Sequence, residues 1–139
     1  MAKYDSEFTL HLAKEYFKFS AAHFTVFSAT HAESLHGHNY YVKFTARTKG
    51  LLQDGLAFDF NELKPEIRKI CEQLDEKVLI AKECKYLKIE QQQSNCLIRF
   101  HKKTYSLPQE DVVLMELDNI SSEELARWFL AKLVSKWKS

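Results

Sequence analysis

The chain has 139 residues, with 20 Lys and Arg against 19 Asp and Glu, a formal net charge of +1. That balance lacks the basic excess with which duplex-binding proteins neutralise phosphate, and it lacks the high net charge of a disordered, solvating segment. Hydrophobic residues make up 45% and aromatic residues 13%, with only 3 Gly and 2 Pro, so the composition supports one packed domain over residues 1–139 and excludes Gly-rich phosphate loops and low-complexity linkers.

Residues 8–22 read as one long or bent strand: Phe8, Leu10 and Leu12 alternate with polar positions, and Phe17 and Phe19 alternate about Lys18. Residues 38–48 alternate again, with Tyr40, Val42, Phe44 and Ala46 on one face, which predicts a half-buried strand ended by Lys49-Gly50. Over 60–74 the period changes. Leu63, Ile67, Ile70, Cys71 and Leu74 recur at helical spacing, Asp59 with Glu62 marks the start, and Pro65 suits a first turn. Short strands are predicted at 86–89, 96–100 and 104–107, and a mostly apolar, central strand at 112–117. Ser121 with Glu124 fits a capping box opening a last helix, whose apolar stripe is Leu125, Trp128, Phe129 and Leu133.

Cys71, Cys84 and Cys96 are odd in number, widely spaced and without a Cys-x-x-Cys pair, the pattern of reduced and partly buried thiols. No window approaches the ~18 consecutive apolar residues of a membrane span, and the N-terminus has no apolar signal region. A cytoplasmic protein with neither membrane nor nucleic-acid partner is expected. The lysines at 102–103 and 132–138 read as solvated faces.

The chemistry lies in a histidine cluster: four of the six histidines fall between His23 and His38. His36 and His38 stand two apart at the start of a strand, so both side chains project from one face. Gly37 between them lets another group approach closely. His23 ends the preceding strand, and antiparallel pairing across the loop 24–35 would bring it to the same point. Three imidazoles with an open fourth position form the catalytic-metal pattern, in which the ion acidifies water or polarises a carbonyl. Neutral imidazole suits zinc, and also copper, iron and nickel. The same spacing is open to a second reading, three histidines satisfied at the surface. His31 reads as a solvated loop residue, and His11 and His101 have no partners in the pattern.

Phe19-Ser20-Ala21-Ala22-His23 followed by Leu35-His36-Gly37-His38-Asn39-Tyr40 resembles the 6-pyruvoyltetrahydropterin synthase family. Further markers follow in the family's order. The segment 55–64, with Phe58-Asp59-Phe60-Asn61-Glu62-Leu63-Lys64, is similar to its "DF-x-x-L-K" stretch. Leu74-Asp75-Glu76 is similar to its "LDH" position, and Asn119-Ile120-Ser121-Ser122-Glu123-Glu124 to the start of its second helix. The resemblance implies an α+β tunnelling fold, an antiparallel sheet backed by two helices, whose subunits assemble through their sheets into trimers or hexamers. It implies a zinc ion on His23, His36 and His38, and a pterin substrate, typically 7,8-dihydroneopterin triphosphate.

Three differences from the family refine that expectation. The loop before His-Gly-His carries Glu33 and no Cys. This resembles the variant subgroup that makes 6-hydroxymethyl-7,8-dihydropterin, a folate precursor, with Glu33 as proton-transfer group. Glu76 stands where the common pattern has a His after Asp75, which makes Asp75 and Glu76 further carboxylate candidates. The family's last strand, which follows the second helix, is expected to be missing. The alternatives are a 6-carboxytetrahydropterin synthase of queuosine biosynthesis and a non-catalytic zinc- or pterin-binding homologue.

Overall fold

The computed structural model describes residues 5–138 apart from Gln53 and Phe58. Residues 1–4, read above for a leader, and Phe58 of the 55–64 segment thus lie outside the described residues. The chain forms two compact units, Met1–Lys18 with Tyr41–Gln73 and Phe19–Tyr40 with Leu74–Ser139. Two long strands, β1 (Glu7–His23) and β2 (His36–Lys49), contribute to both.

In the first unit the two strands run antiparallel. His11 Nδ1 lies 3.0 Å from Thr45 Oγ1, and the Gly50 N–H donates to the Ser6 carbonyl at 2.7 Å. Val42, Phe44 and Ala46 of β2 are half-buried between exposed Lys43, Thr45 and Arg47, as the alternation requires. Helix α1 (Phe60–Leu74) buries Leu63, Ile67, Ile70 and Cys71 along the predicted face. The Asp59 carboxylate caps it by accepting the Asn61 N–H at 2.8 Å. Pro65 lies inside the helix, beyond the first turn. It has no N–H for the Asn61 carbonyl, a local cost that the buried face offsets.

The second unit holds the ends of both long strands, β3 (Lys77–Ala81), β7 (Val112–Met115), a small sheet of β4 (Lys88–Gln92), β5 (Asn95–Phe100) and β6 (Lys103–Pro108), and helix α2 (Ser122–Lys138). The larger sheet has the order β2-β1-β3-β7. β3 runs parallel to β1, with Ala21 opposite Lys77 and Ala22 opposite Val78. It also runs parallel to β7, from Val78–Val112 to Ala81–Met115. The sheet is therefore mixed. Parallel pairs need long crossovers, and both exist here: β2 and α1 separate β1 from β3, and β4 to β6 separate β3 from β7. β4, β5 and β6 form antiparallel hairpins close to the predicted segments.

Strand β3 was not expected, and it takes the inner place assigned above to 112–117. β7 instead ends the sheet order. The run 77–81 is five residues long, and its apolar residues are continuous. A strand covered on both faces leaves no alternation to read. Leu79 and Ile80 are each 1% exposed.

At α2 the Ser121 hydroxyl accepts the Glu124 N–H at 3.2 Å. The Glu124 carboxylate turns instead to Arg127, at 2.8 and 3.0 Å, so half of the expected capping box forms. Leu125, Phe129 and Leu133 are buried, and the Phe129 ring stacks 5.9 Å from Phe19. Trp128 is only half-buried, with Lys132 Nζ 5.4 Å from its ring. No strand follows α2 among the described residues, and no described helix is long and apolar enough to cross a membrane.

Candidate metal centre

A change of phase in β1 decides where His23 points. Leu12 is buried at an even position, whereas Phe17, Phe19, Ala21 and His23 are buried at odd ones. The covered positions thus change parity between residues 12 and 17. With the phase changed, His23 enters the interior at 6% exposure.

His36 and His38 project from the start of β2 to the same point. The ring centroids are 4.8 Å apart for His23–His36, 5.1 Å for His23–His38 and 4.6 Å for His36–His38. One nitrogen from each ring lies within 4.8 Å of the others, which makes this the group that could hold a metal ion among the described residues. Gly37 passes 3.5 Å from the Ala21 carbonyl, measured from where its Cβ would stand, so the close approach expected there is realised.

The outer nitrogens determine what the inner ones can do. His23 Nδ1 donates to the Ile120 carbonyl at 2.9 Å, and His36 Nδ1 to the Ser34 carbonyl at 2.7 Å. Each of these two rings then presents Nε2 as a lone pair. His23 Nε2 is buried and has no hydrogen-bond partner, an arrangement that costs about 1–3 kcal/mol unless something binds it. His36 Nε2 and His38 Nε2 approach to 2.9 Å, where a proton or a cation must lie between them. Burial, ahead of the two neighbouring rings, pushes the His23 pKa down and keeps it neutral. An orphaned buried nitrogen and an all-imidazole donor set fit a borderline metal such as zinc. Tyr40 forms one wall, stacked on Phe19 at 4.8 Å and edge-on to His38 at 5.6 Å; burial raises its pKa.

Glu33 stands beside the triad without belonging to it. Its Oε1 accepts the Thr25 N–H at 2.9 Å, and its own N–H donates to the Thr25 carbonyl at 2.9 Å. The hydrogen bonds from Thr25 hold its carboxyl below the usual range, with smaller help from His36 and His23. Asp75 is engaged elsewhere: its Oδ1 accepts the Ser20 N–H at 2.8 Å. Glu76, in a left-handed turn at φ 59°, donates its N–H to the Ser20 carbonyl at 2.6 Å. It lines a cavity of about 490 Å³ with Ser20, Gly37, His38 and Asn39. His31 is exposed and stacks on Phe27 at 5.0 Å.

The orienting carbonyls of Ile120 and Ser34 had no counterpart in the sequence reading. Backbone oxygens leave no mark in a side-chain pattern, and Ile120 lies 97 residues from His23.

Fold and site together define a class: an α+β protein whose sheet carries a three-imidazole cluster able to hold a metal ion, with a carboxylate beside it. The model of the 6-pyruvoyl tetrahydropterin synthase family matches residues 11–139, and the chain belongs to that family. It is 29% identical over 122 residues to a Methanocaldococcus jannaschii protein provisionally named 6-carboxy-5,6,7,8-tetrahydropterin synthase, covering 88% of this chain and 74% of that one. The chain spans 66% to 74% of the length of the curated relatives it matches. The 6-pyruvoyl tetrahydropterin synthase of Plasmodium falciparum superposes with a TM-score of 0.87 at 30% identity, over 94% of this chain and 79% of the other. That of Plasmodium vivax gives 0.87 at 32% identity, over 94% and 80%. The same Plasmodium vivax protein is also known in two forms in which a glutamate, described as a catalytic residue, is replaced by alanine or by cysteine.

Proposed function

We propose that the chain is a zinc-dependent enzyme that cleaves the side chain of 7,8-dihydroneopterin triphosphate and releases 6-hydroxymethyl-7,8-dihydropterin. The observation that carries this reading is Glu33, an ionised carboxylate fixed by Thr25 next to three converging imidazoles, in a loop that has no cysteine. The catalytic glutamate of the Plasmodium vivax relative supports it.

His23, His36 and His38 would hold the ion, which when bound supplies Lewis acidity toward the side-chain hydroxyls. Glu33, already a carboxylate, takes the proton of the C2′ hydroxyl. As the C1′–C2′ bond breaks, its electron pair passes to C1′ and the conjugated ring, and C2′ leaves as the aldehyde of a two-carbon triphosphate fragment. Protonated Glu33 returns the proton to C1′, which completes the hydroxymethyl group and restores the carboxylate. Glu76, open to the cavity, is a second carboxylate candidate, and Asp75, fixed on Ser20, would position it. Assembly as a homo-oligomer, a trimer or hexamer, belongs to the same reading. The end strands β2 and β7 of the sheet, unpaired on one side among the described residues, support it.

The archaeal relatives favour a second reading, a 6-carboxytetrahydropterin synthase. The test is to incubate zinc-loaded protein with 7,8-dihydroneopterin triphosphate and identify the pterins by mass spectrometry. A hydroxymethyl product is the expected result. A carboxylated pterin establishes the second reading, and unchanged substrate beside one tightly held zinc per chain establishes a non-catalytic homologue.

A further inference from the structure

Asn119 lies in the loop before α2, and its side-chain amide makes three hydrogen bonds. Nδ2 donates to the Val26 carbonyl at 2.9 Å, while Oδ1 accepts the Val26 N–H at 3.0 Å. Oδ1 also accepts the Ile120 N–H at 3.1 Å. The amide thus pairs with both backbone groups of Val26, as a neighbouring strand would, and at the same time holds the N–H of the next residue, on the other side of whose Cα lies its carbonyl. That next residue supplies the carbonyl to which His23 Nδ1 donates at 2.9 Å and the Thr25 hydroxyl at 3.2 Å. On the other side, Val26 directly follows Thr25, whose N–H holds Glu33. One side chain therefore sits behind both halves of the site.

We infer that Asn119 is the positioning residue of the metal centre. It aims the Ile120 carbonyl so that His23 is held as the Nδ1–H tautomer with its Nε2 lone pair facing His36 and His38, and it clamps the loop 24–33 that carries Glu33. Asparagine meets the geometry because one short planar group offers a donor and an acceptor side by side. Aspartate keeps the acceptor and loses the donor; alanine loses both.

The affinity part of this inference rests on the metal-binding reading above, whereas the tautomer part does not. The experiment uses the full chain and Zn²⁺ alone, with wild type, Asn119→Ala and Asn119→Asp. Long-range ¹H–¹⁵N spectra of the zinc-free proteins report the His23 tautomer, and competition with a chelating dye reports zinc affinity. Wild type is expected to show Nδ1–H only. Asn119→Ala mixes the tautomers and binds zinc roughly 10- to 100-fold more weakly, as loss of an outer-shell partner does. Asn119→Asp, which keeps two of the three bonds, recovers part of the loss. An unchanged tautomer in both variants, with zinc affinities within about twofold of wild type, overturns the inference. Wild type that holds no zinc overturns the metal reading alone, and the tautomer spectra then decide the role of Asn119. Where Asn119→Ala does not fold, the same two readouts on Asn119→Asp decide it.

Discussion

Glu33 is the residue on which the proposed chemistry turns, and its charge state is set by a neighbour two positions after His23. The bonds from Thr25 keep the carboxyl below its ordinary range. A depressed carboxylate stabilises the fold fully above the ordinary carboxylate range, and that contribution is lost as the pH falls through the lowered value. The Thr25 amide resonance is expected to titrate in acid, below the pH at which a free glutamate does, and to stay flat in Glu33→Gln, which keeps an acceptor but cannot ionise. The same variant isolates the chemistry. Because Glu33 lies outside the ligand group, Glu33→Gln should hold zinc as wild type does while turnover drops by roughly 10²- to 10⁴-fold, the range of general acid–base catalysis. Wild-type turnover in that variant removes Glu33 from the mechanism. The triad itself was legible in the sequence because the His-Gly-His spacing places two rings on one face, and antiparallel pairing across the loop 24–35 brings His23 to them. The orientation of the rings was not legible. It depends on the carbonyl of Ile120, which a distant segment brings in, and on that of Ser34, a local backbone oxygen that no side-chain pattern marks.

At the scale of elements, the readable parts were those half-exposed to water. The alternation of β2 and the helical spacing of α1 survive in sequence because one face of each meets solvent. β3 is buried from Leu79 to Ala81, and its four apolar residues carry no period. β1 was readable as a strand, but which of its positions are covered changes parity between Leu12 and Phe17, and local composition does not announce it. Two substitutions test these assignments. Leu79→Ala in β3 should cost about 2–5 kcal/mol in urea unfolding, the range for a truncated core leucine; an effect of a few tenths would contradict an inner strand there. Ser121→Ala should cost about 1 kcal/mol through loss of the α2 cap. Glu124→Ala should cost only the few tenths of a kcal/mol of an i,i+3 pair, about 0.2–0.5 kcal/mol, since the cap uses the backbone N–H of Glu124 and its side chain is engaged with Arg127. Equal losses from the two would restore the full capping box to the account.

For the molecule as a whole, the question is how stability and metal are linked. The three imidazoles come from the end of β1 and the start of β2, and the backbone before α2 orients one of them. An ion held by all three therefore ties the end of β1 to the start of β2, and through His23 to the backbone before α2, and it binds only when they are folded. Such a ligand stabilises the native state by about 2.7 kcal/mol when its free concentration is a hundred times its Kd. For a chain of this length that corresponds to a rise in Tm on the order of 10 °C. Scanning calorimetry with zinc and then with excess chelator should show the rise and its reversal. His38→Ala is the decisive control. His38 is the exposed member of the triad, so its removal leaves the zinc-free protein close to wild-type stability, unlike a change at buried His23. With one ligand gone, the zinc-induced rise should largely vanish. A full rise in His38→Ala places the stabilising metal elsewhere in the protein. A rise that vanishes from an otherwise intact protein ties it to the three histidines.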